Sequence, residues 1–240
     1  MNRALRTFGV LTAGLLLVGG LTTLPAAADG EAAPAPTVGA CYDVTAQEAE
    51  VDTLPRAAVD CAAAHTSEII AVGTLPDELS WSAAEDDLAA ALAPVCARAW
   101  DRATGGNLLR QVRSQYDFVW FHPSAAEQAT GARWFSCHMV VREDNSLAPL
   151  PHPLPRLGKR TSDAVATCVT GSLEFTTCAD KHAWRSSHSF YATGKPTKRS
   201  VDAAANRTCP RHVTSRKWLR TAFDVPGKRF VVICYSQTKR

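Results

Sequence analysis

No stretch of this 240-residue chain offers the ~18–20 consecutive apolar residues that a bilayer-spanning helix needs. The longest apolar run, Phe8 to Leu21, has 14. No two cysteines form a Cys-x-x-Cys pair, so the usual zinc-knuckle spacings are absent. No Gly-x-Ser-x-Gly elbow occurs, which removes a common marker of serine hydrolases. Acidic residues are scarce after position 150: residues 151–240 hold 17 Lys+Arg against 5 Asp+Glu, a net of +12. Residues 29–150 hold 7 against 18, a net of −11, and Arg3 and Arg6 bring the sum to the +3 of the whole chain. So sharp a split points either to docking of the two halves on each other or to an anionic partner for the basic half.

A basic start (Arg3, Arg6), the short apolar run and Ala26-Ala27-Ala28 make residues 1–28 a secretory signal peptide. An uncleaved anchor is the rival reading of the same residues. No cysteine follows the expected cleavage point closely, which argues against a lipoprotein. Export places the protein in the cell envelope or outside the cell. Nucleic acid is then a poor partner; an anionic cell-wall polymer, a lipid surface or an envelope protein suits the basic C-terminal half. An oxidising compartment lets paired cysteines persist, and the even count of 8 fits a disulfide framework.

The cysteines fall into two sets with matching neighbours. Cys61-x-x-x-His65 returns as Cys178-x-x-x-His182. One cysteine precedes each (Cys41; Cys168) and two follow (Cys96, Cys137; Cys209, Cys234). The last of each set stands behind Gly131-x-Arg133-Trp134 or Gly227-x-Arg229-Phe230. This pattern reads as an internal duplication. The expected organisation is a flexible lead-in (29–37), a first domain (38–143), a Pro-rich linker (144–160) and a shorter second domain (161–240). The linker holds four prolines between Pro149 and Pro155, a composition that favours extended backbone.

Each copy reads as α+β: a small antiparallel sheet with one main helix, stapled by disulfides. Strands are expected over 39–44, 68–73, 116–121 and 133–141, then over 165–169, 187–194 and 230–235, where β-branched and aromatic residues concentrate. Ser82-x-x-Glu85 reads as a capping box for a helix carrying Leu88, Leu92, Val95, Cys96 and Ala99 on one face. Pro94 should end or bend its first part, and Gly105-Gly106 should close it. The helix of the second copy is expected over 200–213. Requiring the same pairing within each copy leaves three disulfide patterns. Neighbours in order (Cys41–Cys61, Cys96–Cys137, Cys168–Cys178, Cys209–Cys234) are favoured, because the second and fourth bridges would join a helix to the last strand with both partners inward.

The pattern resembles the actinobacterial septum-formation domain family of exported or membrane-anchored envelope proteins. The residues that carry the resemblance are Gly39 and Cys41; Val59, Cys61, His65 and Glu68; Cys96; and Pro123, Gly131, Arg133 and Cys137, with a looser set in the second copy. Ala64, Gln128 and Arg185 depart from it. The resemblance implies an envelope protein linked to septation or wall assembly, with no defined activity.

The candidate binding residues are His65, Glu68, Arg133, His182 and Arg229. Histidine can bind a ligand or respond to pH, or simply bond backbone in the turn after its cysteine. His65 and Glu68 supply two metal-ligand types but show no third nearby, so neither a metal nor a cofactor is expected. Arg133 and Arg229 read as carbonyl-binding or ion-paired turn residues, or as a paired anion site. Trp120, Phe121, His122 and Trp134 read as core, with sugar stacking as the alternative. The expected function is non-catalytic binding or scaffolding. The enzymatic alternative is an envelope hydrolase using Ser186, Ser187 and Ser189 around His182 and His188, with Asp180 as the acid.

Overall fold

Leu88, Leu92, Cys96 and Ala99 recur at helical spacing and form the buried stripe of helix α1 (Glu85–Thr104). Glu85, Asp86 and Asp87 crowd its first turn, where the exposed N–H groups favour negative charge. Gly105, at φ 99°, closes it in the left-handed conformation that glycine adopts without penalty. The expected capping box fails here, and Pro94 does not end the helix. The helix begins after Ala84 with no side-chain cap, and the Ser82 hydroxyl bonds that of Ser80 instead. The helix also runs through Pro94. The lost backbone bond is outweighed by a face buried on both sides of the proline and by the Cys96–Cys137 crosslink.

The computed structural model describes residues 33–54 and 57–238. The expected signal peptide, and the start of the lead-in, lie outside the described residues. α1 packs on a first antiparallel sheet of β1 (Cys41–Tyr42), β2 (Ser67–Thr74), β3 (Tyr116–Phe121), β4 (Trp134–Glu143) and β5 (Ser146–Ala148). The order is β1-β2-β4-β3, and β5 folds back onto the end of β4. Gly73 pairs with Phe135, and a Cβ there would overlap the Phe135 ring; the bare backbone seats that ring under α1. Two short helices, α2 (Leu108–Gln111) and α3 (Ala125–Ala129), flank β3. α3 opens with a complete capping box between Ser124 and Glu127.

The second sheet holds β6 (Thr167–Val169), β7 (Phe175–Thr177), β8 (Trp184–Thr193), β9 (Trp218–Val225) and β10 (Arg229–Gln237), in the order β7-β6-β8-β10-β9. Helix α4 (Lys198–Thr208) lies between β8 and β9 in the chain. It stops before Pro210, which sits in a 3₁₀ turn. The apolar run Phe230 to Tyr235 is continuous because both faces of β10 are covered. Phe230, Val232 and Cys234 meet α4, while Val231, Ile233 and Tyr235 meet Leu108, Leu109 and Val112 of the α2 region.

The strands β1-β2-β4-β3 and β6-β8-β10-β9 thus follow the same order, each with a helix between its second and third members. The four disulfides are Cys41–Cys61, Cys96–Cys137, Cys168–Cys178 and Cys209–Cys234. In each half one bridge ties the first strand to the Cys-x-x-x-His turn, and the other ties the helix or its C-terminal turn to the last strand. The Cys96–Cys137 loop spans 41 residues and the Cys168–Cys178 loop 10. On chain-entropy grounds these restrict the unfolded chain by about 4 and about 3 kcal/mol.

Residues 144–160 do not behave as a free linker. Leu150 and Leu157 are buried, Leu150 N–H donates to His65 O, and Leu157 N–H donates to Thr104 O. Tyr116 donates its hydroxyl to Pro155 O. Further on, Gln115 N–H donates to Val165 O and Thr167 N–H to Arg113 O, joining the lead into β3 to the start of β6. The described residues fall within one compact unit. Among the described residues, the only ion pair between residues up to 150 and those after it is Glu68–His152. Apolar packing and hydrogen bonds, rather than opposite charge, hold the halves together.

Candidate functional site

The Cys-x-x-x-His turn folds the same way in both halves. His65 Nδ1–H donates to Ala63 O at 2.8 Å, and His182 Nδ1–H donates to Asp180 O at 2.7 Å. Each bond closes a two-residue turn and leaves Nε2 as the ring's lone pair. The surroundings then diverge. His65 is 3% exposed, and its Nε2 is buried with no hydrogen-bond partner; His182 is half-buried.

Strand register explains the difference. Glu68 stands opposite Cys41, and Arg185 stands opposite Cys168. Glu68 accepts a 3.0 Å hydrogen bond from His152 Nδ1. Arg185 pairs with Asp163 at 2.6 Å and donates to Thr161 O. His152 is the residue that sequence reasoning missed. It lies 84 positions from Glu68 and is carried there by the packed Pro-rich segment. Its one signal in the sequence is its place between Pro151 and Pro153, where restricted backbone can hold a side chain in place.

Arg133 and Arg229 are not brought together as an anion site. Arg133 donates to the carbonyls of Leu75, Pro76 and Leu79, with Asp77 at 3.8 Å, so it clamps the loop after β2. Arg229 donates to Pro226 O and lies 4.4 Å over the Tyr191 ring. The aromatic group is packed rather than displayed. Phe121 is fully buried, His122 is buried, and Trp120 packs on the α1 cluster.

The serine–histidine loop does not assemble a relay among the described residues. Ser189 donates to Leu109 O, Ser187 pairs with Ser236, and Ser186 donates to Arg113 O. The Asp180 carboxylate accepts from Thr177. His188 stacks on His212 with ring centroids 3.7 Å apart. Burial lowers its pKa, and the neighbouring His212 and Arg113 lower it further.

Beside this loop opens a cavity of about 1210 Å³. Six cations line it: Arg113, Lys159, Arg160, Arg185, Arg216 and Lys217. Among the described residues, the only carboxylate in its wall is Asp163, already paired with Arg185. Lys159, Arg160, Arg216 and Lys217 are exposed and make no ion pair among the described residues. Arg113 is pinned by Leu109 O and Ser187 O. Burial first, and then the neighbouring Arg110, lowers its pKa. Thr214 also lines the wall, beside the mutually bonded hydroxyls of Ser187 and Ser236. Cations concentrated in this way favour an anion over a cation.

Among the described residues no helix is long and apolar enough to cross a membrane. Four disulfides fit an extracellular or envelope setting. Comparison of the chain with curated proteins and with solved structures gives no match. Residues 21–122, which include Cys41, Cys61, His65, Glu68 and Cys96, match the protein family described as Septum formation.

Proposed function

We propose that this protein is an exported, non-catalytic envelope component that binds an anionic cell-wall polymer or lipid surface through its basic cleft, in support of septation or wall assembly. The observation that carries the reading is the cleft itself, where the described residues place six cations around one cavity and a single carboxylate that is already paired. Among the described residues, no carboxylate of the acidic half pairs with these cations, so their field reaches solvent. The match of residues 21–122 to the Septum formation family supports the link to septation, and the disulfides support the compartment. The matching strand order and crosslinks of the halves support a duplicated unit whose second member took on the basic surface.

Co-sedimentation with purified cell wall tests the proposal. The wild-type protein pellets at ~50 mM salt and is released near ~0.5 M, where the screening length falls to a few ångströms. Arg216→Glu with Lys217→Glu, two exposed positions, removes most of the pelleting without unfolding the protein. Absence of wild-type pelleting at low salt overturns the reading.

A further inference from the structure

The cluster at His65 is separate from the basic cleft and has a different chemistry. Three segments meet there: the Cys61–His65 turn, the start of β2 with Glu68, and the Pro-rich segment with His152. The ligand-type atoms of His65, Glu68 and His152, with Cys41 Sγ, lie within 4.8 Å of one another. Cys41 is bonded to Cys61 and offers no thiolate, so it walls the cluster rather than serving it.

His65 is set up as a metal ligand. Its Nδ1–H is held by Ala63 O, the arrangement that fixes tautomer and ring orientation in metal-bound histidines. The nitrogen left over, Nε2, is buried and unpartnered, a costly condition for a polar atom unless something binds it. Glu68 Oε2 and His152 Nδ1 stand 3.0 Å apart. Nitrogen and oxygen ligands at 2.0–2.1 Å from one tetrahedral ion lie about 3.3 Å apart, so the pair needs only a small shift to share an ion.

The segment bearing His152 is anchored next to the turn by Leu150 N–H donating to His65 O at 2.9 Å and by the buried Leu150 side chain. A cavity of about 570 Å³ opens over His65 and His152. It leaves room for a water or small anion as fourth ligand. Two imidazoles, one carboxylate and an open position suit a borderline cation of the zinc class rather than magnesium or calcium, which take oxygen ligands.

We propose that His65 Nε2, a Glu68 carboxylate oxygen and a His152 ring nitrogen form a binding site for a divalent transition-metal ion such as Zn²⁺. Among the described residues, the second half carries no such site. Arg185 occupies the register position of Glu68, and a guanidinium cannot ligate a cation. His182 therefore provides an internal control. A bound ion would join the first cysteine turn to the Pro-rich segment.

Titration of the oxidised full chain with Zn²⁺ alone, read by calorimetry and repeated with Co²⁺ by visible absorption, tests the site. One ion binds per chain, and Co²⁺ develops a d–d band. His152→Gln and Glu68→Gln, both at positions reached by solvent, each weaken binding by more than the ~10–100-fold that a merely supporting residue costs. His182→Gln leaves affinity and spectrum unchanged. The proposal is overturned if the wild-type chain binds no ion. It is equally overturned if His152→Gln and Glu68→Gln bind as the wild type does, or if His182→Gln removes the binding. The exposed His152 and the partly buried Glu68 serve as probes, whereas burial of the His65 ring puts the folding of His65→Gln at risk.

Discussion

His138 sits at the centre of β4, opposite Ile69 on one side and Val119 on the other. Its ring nitrogens meet the hydroxyls of Ser67 and Ser136, and the Phe121 ring packs edge-on against it. Burial pushes its pKa down to about 3, so the folded protein keeps the ring neutral. The unfolded chain protonates the same ring below about 6.5. Between these values the unfolded state binds the extra proton, and stability falls as pH falls. The expected loss is roughly 2 kcal/mol between pH 7 and pH 5. Urea denaturation of wild type and His138→Gln at both pH values checks it. The wild type should lose more than the variant, and equal losses would rule out His138 as the source. Arg133 works differently at this scale. Its bonds to three carbonyls tie the 75–79 loop to β4, so Arg133→Ala should raise amide exchange in that loop while leaving β10 protected.

At the scale of elements, α2 is the smallest helix and carries much of the docking. Asn107 caps it by accepting from Arg110 N–H, and Leu108, Leu109 and Val112 cover the face of β10 that α4 leaves open. Leu109→Ala should cost roughly 1–3 kcal/mol, less than a fully buried leucine because the side chain is half-buried. Denaturant midpoints measure it. Sequence reading did not find α2, since a four-residue helix is too short to show a period. It also passed over β7, a three-residue strand too short to show alternation, and β9, whose side chains are only partly buried and whose alternation is broken by charge, as at Arg220 and Asp224. The strands β3, β4, β8 and β10 and helix α1 were legible, because long buried stripes leave a strong pattern. All four crosslinks were legible too, because the repeated neighbours of the cysteines restrict the choice. His152 was not, since a contact over 84 residues depends on how the Pro-rich segment packs. Nor was the basic cleft, whose cations come from well-separated stretches of chain, from Arg113 to Lys217.

For the whole molecule, the packing sets the unit of folding. Each half has its own sheet, helix and pair of disulfides, which suggests two independent transitions. The contacts between halves argue for one. Val231, Ile233 and Tyr235 form a buried apolar face whose cover includes α2, a piece of the other half. Backbone bonds at Gln115–Val165 and Arg113–Thr167 cross between halves, and Ser189 donates to Leu109 O. The Glu143 carboxylate accepts from Thr176 and Thr177. Removing residues up to 160 would leave that face open, and exposed apolar area costs about 25 cal/mol per Å². Residues 161–240 alone should therefore bind a hydrophobic dye and show poor NMR dispersion even with both disulfides formed, whereas the full chain unfolds in one calorimetric transition. Two well-separated transitions in the full chain, or a dispersed spectrum from the isolated second half, would mean that the crosslinks and α4 suffice and that α2 only decorates a finished core.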